Sequence, residues 1–375
     1  MNKKFYQDKS NIFLMESAPG AQTIINGKLY NYFGGTSYYE LHNNKEVINA
    51  AIKALNKYGI NSSSSRNSYG TTPLLLEVEK QAAEFFNCED SVYLASGFLS
   101  DIAAVQALVN MNLFDSVFID EISHYSNNYA AKISGKKINK FSHLNPNDLE
   151  EKIKKTLKKG GRPLVITDGI FPITGKIAPI KLYLNIVKKY DGIMWIDDAH
   201  ALGVIGENGR GTAEHYKLKS KRLYFGGTMS KALGGFGGII PGSKKFILEI
   251  KQSYTQFGST PPPSSAAAAS LMGLKILKEN PQMKIKLWEN ARKLKNGLKN
   301  LGVEVDDSVV PIAAFNLDSY ESMRRVHQRL MEKRIMIQLI NYIGAGKSGS
   351  LRIVVFSTHT EEQIEHLLYE LGKIL

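Results

Sequence analysis

With 375 residues, 43% of them hydrophobic, the chain can bury a large core, and its length suits about two domains. Its single cysteine, Cys88, excludes an intramolecular disulfide and fits a reducing, cytoplasmic setting. A formal net charge of +13 raises a polyanionic partner. However, the basic residues are scattered through segments such as EEKIKKTLKKGGR and KIKLWENARKLKNGLKNLG, which read as helices with one solvated face. No RNA-binding signature, zinc-ligand spacing or heptad run accompanies them, so neither nucleic acid nor a metal is expected.

From the first residue, MNKKFYQDKSNIFLMES shows no long apolar run before a small-residue cleavage site, so no signal peptide is expected, and no membrane span. The middle of the chain alternates two patterns. SVYLAS, SVFID, PLVITD, IMWID and RLYFGG read as buried strands; LLLEVEKQAAEFF, PNDLEEKIKKTLKK and PIKLYLNIVKKY read as helices. Continuous Val and Ile-rich strands suit a sheet covered on both faces, and the alternation predicts an α/β fold with a mostly parallel sheet. GSTPPPSSAAAAS ends this unit and opens a helix. After it, VVPIAAFNL, RIMIQLIN, SLRIVVFS and a closing helix read as a smaller α+β domain, against which the first ~45 residues pack.

Several strands end in polar residues at the edge where an open α/β sheet binds ligands. In LASGFLSD, Ser96, Gly97 and Phe98 follow a strand, and the backbone N–H groups of the ensuing helix suit a phosphate. In IMWIDDAHALGVIGENGRG, Asp197 and Asp198 close a strand, with His200 just beyond. Such a pair serves metal binding, acid–base work or a strand-end cap. In LYFGGTMSKALGGFGGIIPG, Lys231 stands among small residues between two strands. It is either a surface lysine in a turn or a partly desolvated amine with a lowered pKa, available to attack a carbonyl. Thr228 and Ser230 beside it can donate to a phosphate.

The order of these parts (phosphate cradle, strand-end Asp, then Lys) resembles fold-type I pyridoxal-phosphate enzymes. GTMSKALGGFGG, IDDAHALGVIGENGRG and SGF are similar to motifs of the α-oxoamine synthase family, and YGINSSSSRNSYGT, FPITGKIAPI and LRIVVFSTHTEEQI keep that family's order. The resemblance implies a large domain (46–265) with a mostly parallel seven-stranded sheet that binds pyridoxal 5'-phosphate. It also implies a small domain (266–375) and an N-terminal segment (1–45) packed with it. Lys231 would carry the cofactor as a Schiff base and move the substrate proton; Asp197 would face the pyridine nitrogen. His200 would hydrogen-bond the ring oxygen and His124 would stack on the ring. Ser96, Gly97, Phe98, Thr228 and Ser230 would surround the phosphate, with Ser259 reaching the partner subunit's phosphate in a homodimer. Arg352 would hold the amino-acid carboxylate bidentately, where otherwise a strand-edge arginine would pair with an acid. Arg66 and Thr36 complete the expected substrate group.

The match departs from the family at the substrate end. Thr36 replaces an asparagine, Pro172 a serine, Leu75 a histidine of some members, and Ser350 the first arginine of an RLR motif. The expected reaction is decarboxylative condensation of an amino acid with an acyl-CoA or other acyl thioester. An aminotransferase, or another CoA-independent amino-acid-modifying enzyme, is the alternative.

Overall fold

The computed structural model describes residues 12–253 and 255–375, so residues 1–11 of the expected N-terminal segment lie outside the described residues. Seven strands form the central sheet, in the spatial order Asp90–Leu94, Gly238–Gly242, Leu223–Thr228, Ile193–Asp197, Pro163–Asp168, Ser116–Asp120 and Lys137–Phe141. The last five run parallel; Gly238–Gly242 is antiparallel to both of its neighbours. This is the mostly parallel seven-stranded sheet that the resemblance implies.

The parallel strands form where the sequence is apolar without interruption, because helices cover both faces. Ile193–Asp197 is buried at every position, with Trp195 in one layer and Met194 and Ile196 in the other. Lys137–Phe141, KINKF, escaped the apolar pattern. It is the edge strand, and its exposed Lys137 and Lys140 suit an edge that must not recruit another chain. The basic helix Pro146–Thr156 buries Leu149 and Ile153 and leaves Lys154 and Lys155 in solvent, which accounts for part of the positive charge as a solvated face.

Two smaller sheets complete the α/β architecture. Ile312–Phe315, Ser350–Val354 and Gln338–Ile340 form an antiparallel sheet. Gln22–Ile25 and Lys28–Tyr32 form a hairpin that pairs in parallel with Ile335–Met336. Phe33 stacks on His359 at 4.3 Å, further joining the two ends of the chain. Register sets the ligand edge: Asp168 lies opposite Asp197, and Asp197 opposite Gly226, so the carboxyl ends of three parallel strands finish together.

Candidate active site

At that edge, the phosphate cradle is built by close approach. Ser96 caps the helix Gly97–Asn110 by accepting from the Leu99 amide (3.2 Å). A Cβ at position 97 would lie 2.8 Å from the Thr228 Cβ, so only glycine lets the helix start against this strand. Thr228 Oγ1 and Ser230 Oγ are hydrogen-bonded at 2.7 Å, and the Ser230 amide donates to Thr228 Oγ1 (3.1 Å). Two hydroxyls thus face a helix N-terminus across a gap kept open by a missing side chain. This arrangement fits a phosphate dianion. Phe98 is largely exposed at the rim.

The adjacent carboxylates separate by the period of a strand, which sends neighbours to opposite faces. Asp198 is fully buried and bound to Thr212, accepting its amide at 2.8 Å and its hydroxyl, and burial pushes its carboxyl up to about 7. It is a latch for the turn. Asp197 keeps its carboxylate at the cleft floor, where Oδ1 accepts the Ala199 amide (2.9 Å). Two further carboxyls flank it. Asp101 accepts from Trp195 Nε1 (2.8 Å), and Asp168 Oδ2 accepts the His124 amide (3.0 Å). Burial, then the proximity of Asp197, raises both well above the usual carboxylate range. Asp197 is therefore flanked by two acids that resist ionising.

Lys231 has a partly open side chain, but dense packing around its amine pushes its pKa down to about 8. Asp197 and Asp168 oppose the shift without cancelling it. The amine is thus half neutral at about pH 8 and keeps a substantial neutral fraction at physiological pH, as a nucleophile or proton carrier requires.

Both histidines are tuned to stay neutral. Burial holds His200 well below its ordinary range, with Lys231 and Arg352 adding repulsion. Its Nδ1 lies 2.8 Å from the Tyr38 hydroxyl. Burial keeps that phenol protonated, so it donates to Nδ1 and leaves the proton of His200 on Nε2. Tyr38 was not among the expected residues; it lies in GTSYYELH, 162 positions from its partner. His124 caps the helix Tyr125–Ile133, its Nδ1 accepting the Ser126 amide (3.2 Å) and lying 2.6 Å from the Ser126 hydroxyl. Its Nε2 accordingly bears the proton. Burial again lowers its pKa, partly opposed by Asp197.

Arg352, on Ser350–Val354, is buried, and among the described residues it has no carboxylate partner. Nε donates to the Pro172 carbonyl (2.8 Å), and Nη1 donates to the Gly35 carbonyl (3.1 Å) and to Gln338 Oε1. Three neutral acceptors orient the guanidinium without neutralising it. Two family departures border this group: Pro172 supplies a carbonyl, and Thr36 follows Gly35. The other two lie in packed structure. Leu75 is a core residue, and Ser350 Oγ donates to the Phe315 carbonyl (3.1 Å).

Two expected residues are not brought to these groups. Arg66 is locked in a buried ion pair with Glu79 (2.6 Å) and also donates to the Tyr93 carbonyl (3.2 Å). Ser259 points its hydroxyl at the carbonyl of Thr260 (3.5 Å).

The family model "Aminotransferase class I and II" matches residues 35–371. The 8-amino-7-oxononanoate synthase of Thermosipho melanesiensis is 33% identical over 363 residues, covering 96% of this chain and 92% of its own. That of Petrotoga mobilis is 34% identical over 365 residues, with the same shares. Among solved structures, SPT with its PLP internal aldimine superposes with a TM-score of 0.89 at 25% identity, covering 97% of this chain and 92% of that chain. Serine palmitoyltransferase from S. paucimobilis with a bound PLP–myriocin aldimine gives the same values.

Proposed function

Since the chain belongs to the α-oxoamine synthase family of class I and II aminotransferase-like proteins, we propose that it condenses an amino acid with an acyl thioester, releasing carbon dioxide and the free thiol. The observation that carries this reading is the convergence of a near-neutral Lys231, Asp197 and two neutral histidines beside a phosphate cradle, in a chain whose full-length relatives are acyltransferases.

The cradle, the strand-end carboxylate and the lysine fit pyridoxal phosphate. When bound, that cofactor supplies an electron sink for the bond-breaking at the amino acid's α-carbon. Ser96, Gly97, Phe98, Thr228 and Ser230 hold its phosphate. Asp197, at the cleft floor, would face the ring nitrogen and favour a proton there. His200, with its proton on Nε2, would donate to the ring oxygen. Lys231 Nζ would hold the cofactor and would accept the α-proton of the amino acid, a task suited to an amine titrating at about 8. Arg352 binds the substrate carboxylate, its charge being unspent on any protein acid. His124 Nε2–H would offer a neutral donor to the thioester carbonyl, whose oxygen gains charge as the carbon–carbon bond forms.

The test is a panel of amino acids, each with and without acyl-CoA. Thiol and carbon dioxide released together, and only with the amino acid present, support the condensation. Keto acid formation with no thiol from any thioester assigns the chain to the aminotransferases instead.

A homodimer is part of the same proposal. The helix Lys45–Tyr58 presents Ile48, Ile52 and Leu55 to solvent, and a cavity of about 610 Å³ opens between it, Pro73–Phe86 and Ser264–Glu279. An apolar surface of this kind favours a second copy. In that assembly Ser259 would serve the partner subunit's site. The single cysteine supports a cytoplasmic setting. Among the described residues, no helix is long and apolar enough to cross a membrane.

A further inference from the structure

The turn that carries Tyr38 holds a strained residue that the proposed chemistry does not use. Glu40, two positions on, takes a left-handed conformation with φ 54°. A long side chain is uncommon there, because its Cβ crowds the backbone carbonyl, whereas glycine would sit without strain. Strained backbone persists where the surrounding structure holds it, and such residues gather at functional sites. Here the Glu40 carboxylate supplies the hold. Its Oε1 accepts the Ala21 amide, just before the hairpin strand Gln22–Ile25, and the Thr358 hydroxyl (2.5 Å), just past the strand Ser350–Val354. Gly20 makes room for it, since a Cβ at that position would lie 2.9 Å from both carboxylate oxygens.

Backbone bonds close the same turn. The Glu40 amide donates to the Ser37 carbonyl (2.9 Å), and the Tyr38 carbonyl accepts the Ser357 amide (2.8 Å). Between these fastenings the turn sends out two buried phenols. Tyr39 donates to the Gly203 carbonyl (2.6 Å), and the Tyr38 hydroxyl reaches His200 Nδ1 (2.8 Å). The tautomer of a histidine is set by the bond that its other ring nitrogen makes. Tyr38 makes that bond from a turn fastened to segments near both ends of the chain. We propose that Glu40 is a positioning residue, a clasp between Ala21 and Thr358 that holds the Tyr38 hydroxyl on His200 Nδ1 and so keeps the His200 proton on Nε2. The inference rests on the pyridoxal-phosphate reading only for what Nε2 then donates to. It is independent of which acyl donor, if any, the chain accepts.

Nitrogen-15 spectra of the histidine-labelled full chain as purified, with His200 assigned from the signals lost in His200→Gln, read this tautomer directly. The wild type gives one tautomer, protonated at Nε2. Glu40→Gly releases the clasp and the strain together, so its thermal midpoint stays within about 3 °C of the wild type. His200 nevertheless becomes a mixture of tautomers, and affinity for pyridoxal phosphate falls about fivefold, as for the loss of one hydrogen bond. Glu40→Gln, whose amide oxygen still accepts both bonds, restores the single tautomer and the affinity. Tyr38→Phe gives the same mixture as Glu40→Gly, and combining the two adds nothing further. A single Nε2-protonated tautomer in Glu40→Gly overturns the clasp. So does a mixture in Glu40→Gln, or an effect of Glu40→Gly that adds to that of Tyr38→Phe. Should Glu40→Gly fail to fold, Thr358→Val, which removes one of the two bonds at an exposed position, is read in its place, and an unchanged His200 again overturns the clasp. A wild-type chain that binds no pyridoxal phosphate ends the cofactor reading, while the His200 spectra still decide the clasp.

Discussion

Arg352 and Arg66 show what a single side chain's partners decide. Both are arginines buried in a polar setting, and by residue type they are interchangeable. Arg66 meets Glu79, whose second oxygen also meets Lys251 at 3.3 Å, so its charge is spent inside the protein. Arg352 meets only neutral acceptors. Arg352→Lys keeps a charge but loses the two-pronged geometry, so amino-acid affinity falls about tenfold with cofactor content unchanged. Equal affinity in Arg352→Ala would remove it from the substrate site. Arg66→Ala leaves a buried carboxylate short of a partner and lowers folding stability by about 3 kcal/mol, read as a lower urea midpoint. Unaltered stability with weakened amino-acid binding would return Arg66 to the substrate group. Asp197→Ala retains bound cofactor but loses turnover by about a hundredfold or more, since no group then holds the ring proton. A rate near that of the wild type would contradict its role. The pH dependence of Lys231 has a definite sign. Only the neutral amine attacks a carbonyl, and burial brings its midpoint from the ordinary lysine range down to about 8. Cofactor uptake by apoenzyme therefore accelerates up to about pH 8 and then levels off. A rate still climbing toward pH 10 would mean an unburied amine.

Among the secondary-structure elements, what could be read from the sequence depended on burial. Ile193–Asp197 and Pro163–Asp168 are apolar throughout because both faces are covered, and such runs announce themselves. Lys137–Phe141 is half solvated and lysine-rich, so its strand character comes from pairing with Ser116–Asp120 and not from its own composition. The Asp197–Asp198 pair was visible, but its division of labour was not. Strand periodicity says the two point apart, while only packing against Thr212 shows which one is the latch. Tyr38 and Asp168 were missed for a related reason. Each acts through a histidine distant in sequence, and nothing local marks a tyrosine or aspartate as a hydrogen-bond partner. The helix Lys45–Tyr58 carries its own prediction. Ile52→Lys places a charge amid exposed Ile48 and Leu55, and sedimentation should show monomer where the wild type is a dimer. An unchanged dimer would place the subunit contact elsewhere.

For the whole molecule, topology does the assembling. Parallel strands finishing together put Asp168, Asp197 and Thr228 on one edge, and the helix Gly97–Asn110 brings its N-terminus there because Gly97 allows it. The smaller antiparallel sheet delivers Arg352, and the segment before residue 45 delivers Tyr38 and the Gly35 carbonyl. The site is thus shared by the three parts proposed as 1–45, 46–265 and 266–375. Motif order alone predicts most of the cofactor end, since each motif closes a strand. The substrate end depends on loops from different parts of the chain, where the Gly35 and Pro172 carbonyls meet at Arg352 by folding and not by sequence. At the centre of the proposed function stands Lys231, to which it assigns both cofactor binding and proton transfer. Borohydride reduction of the holoenzyme, followed by proteolysis and mass spectrometry, tests it most directly. The account predicts that reduced pyridoxal phosphate is recovered on the peptide containing Lys231, and that Lys231→Ala yields no labelled lysine; recovery of the label on any other lysine of the wild-type chain would contradict it.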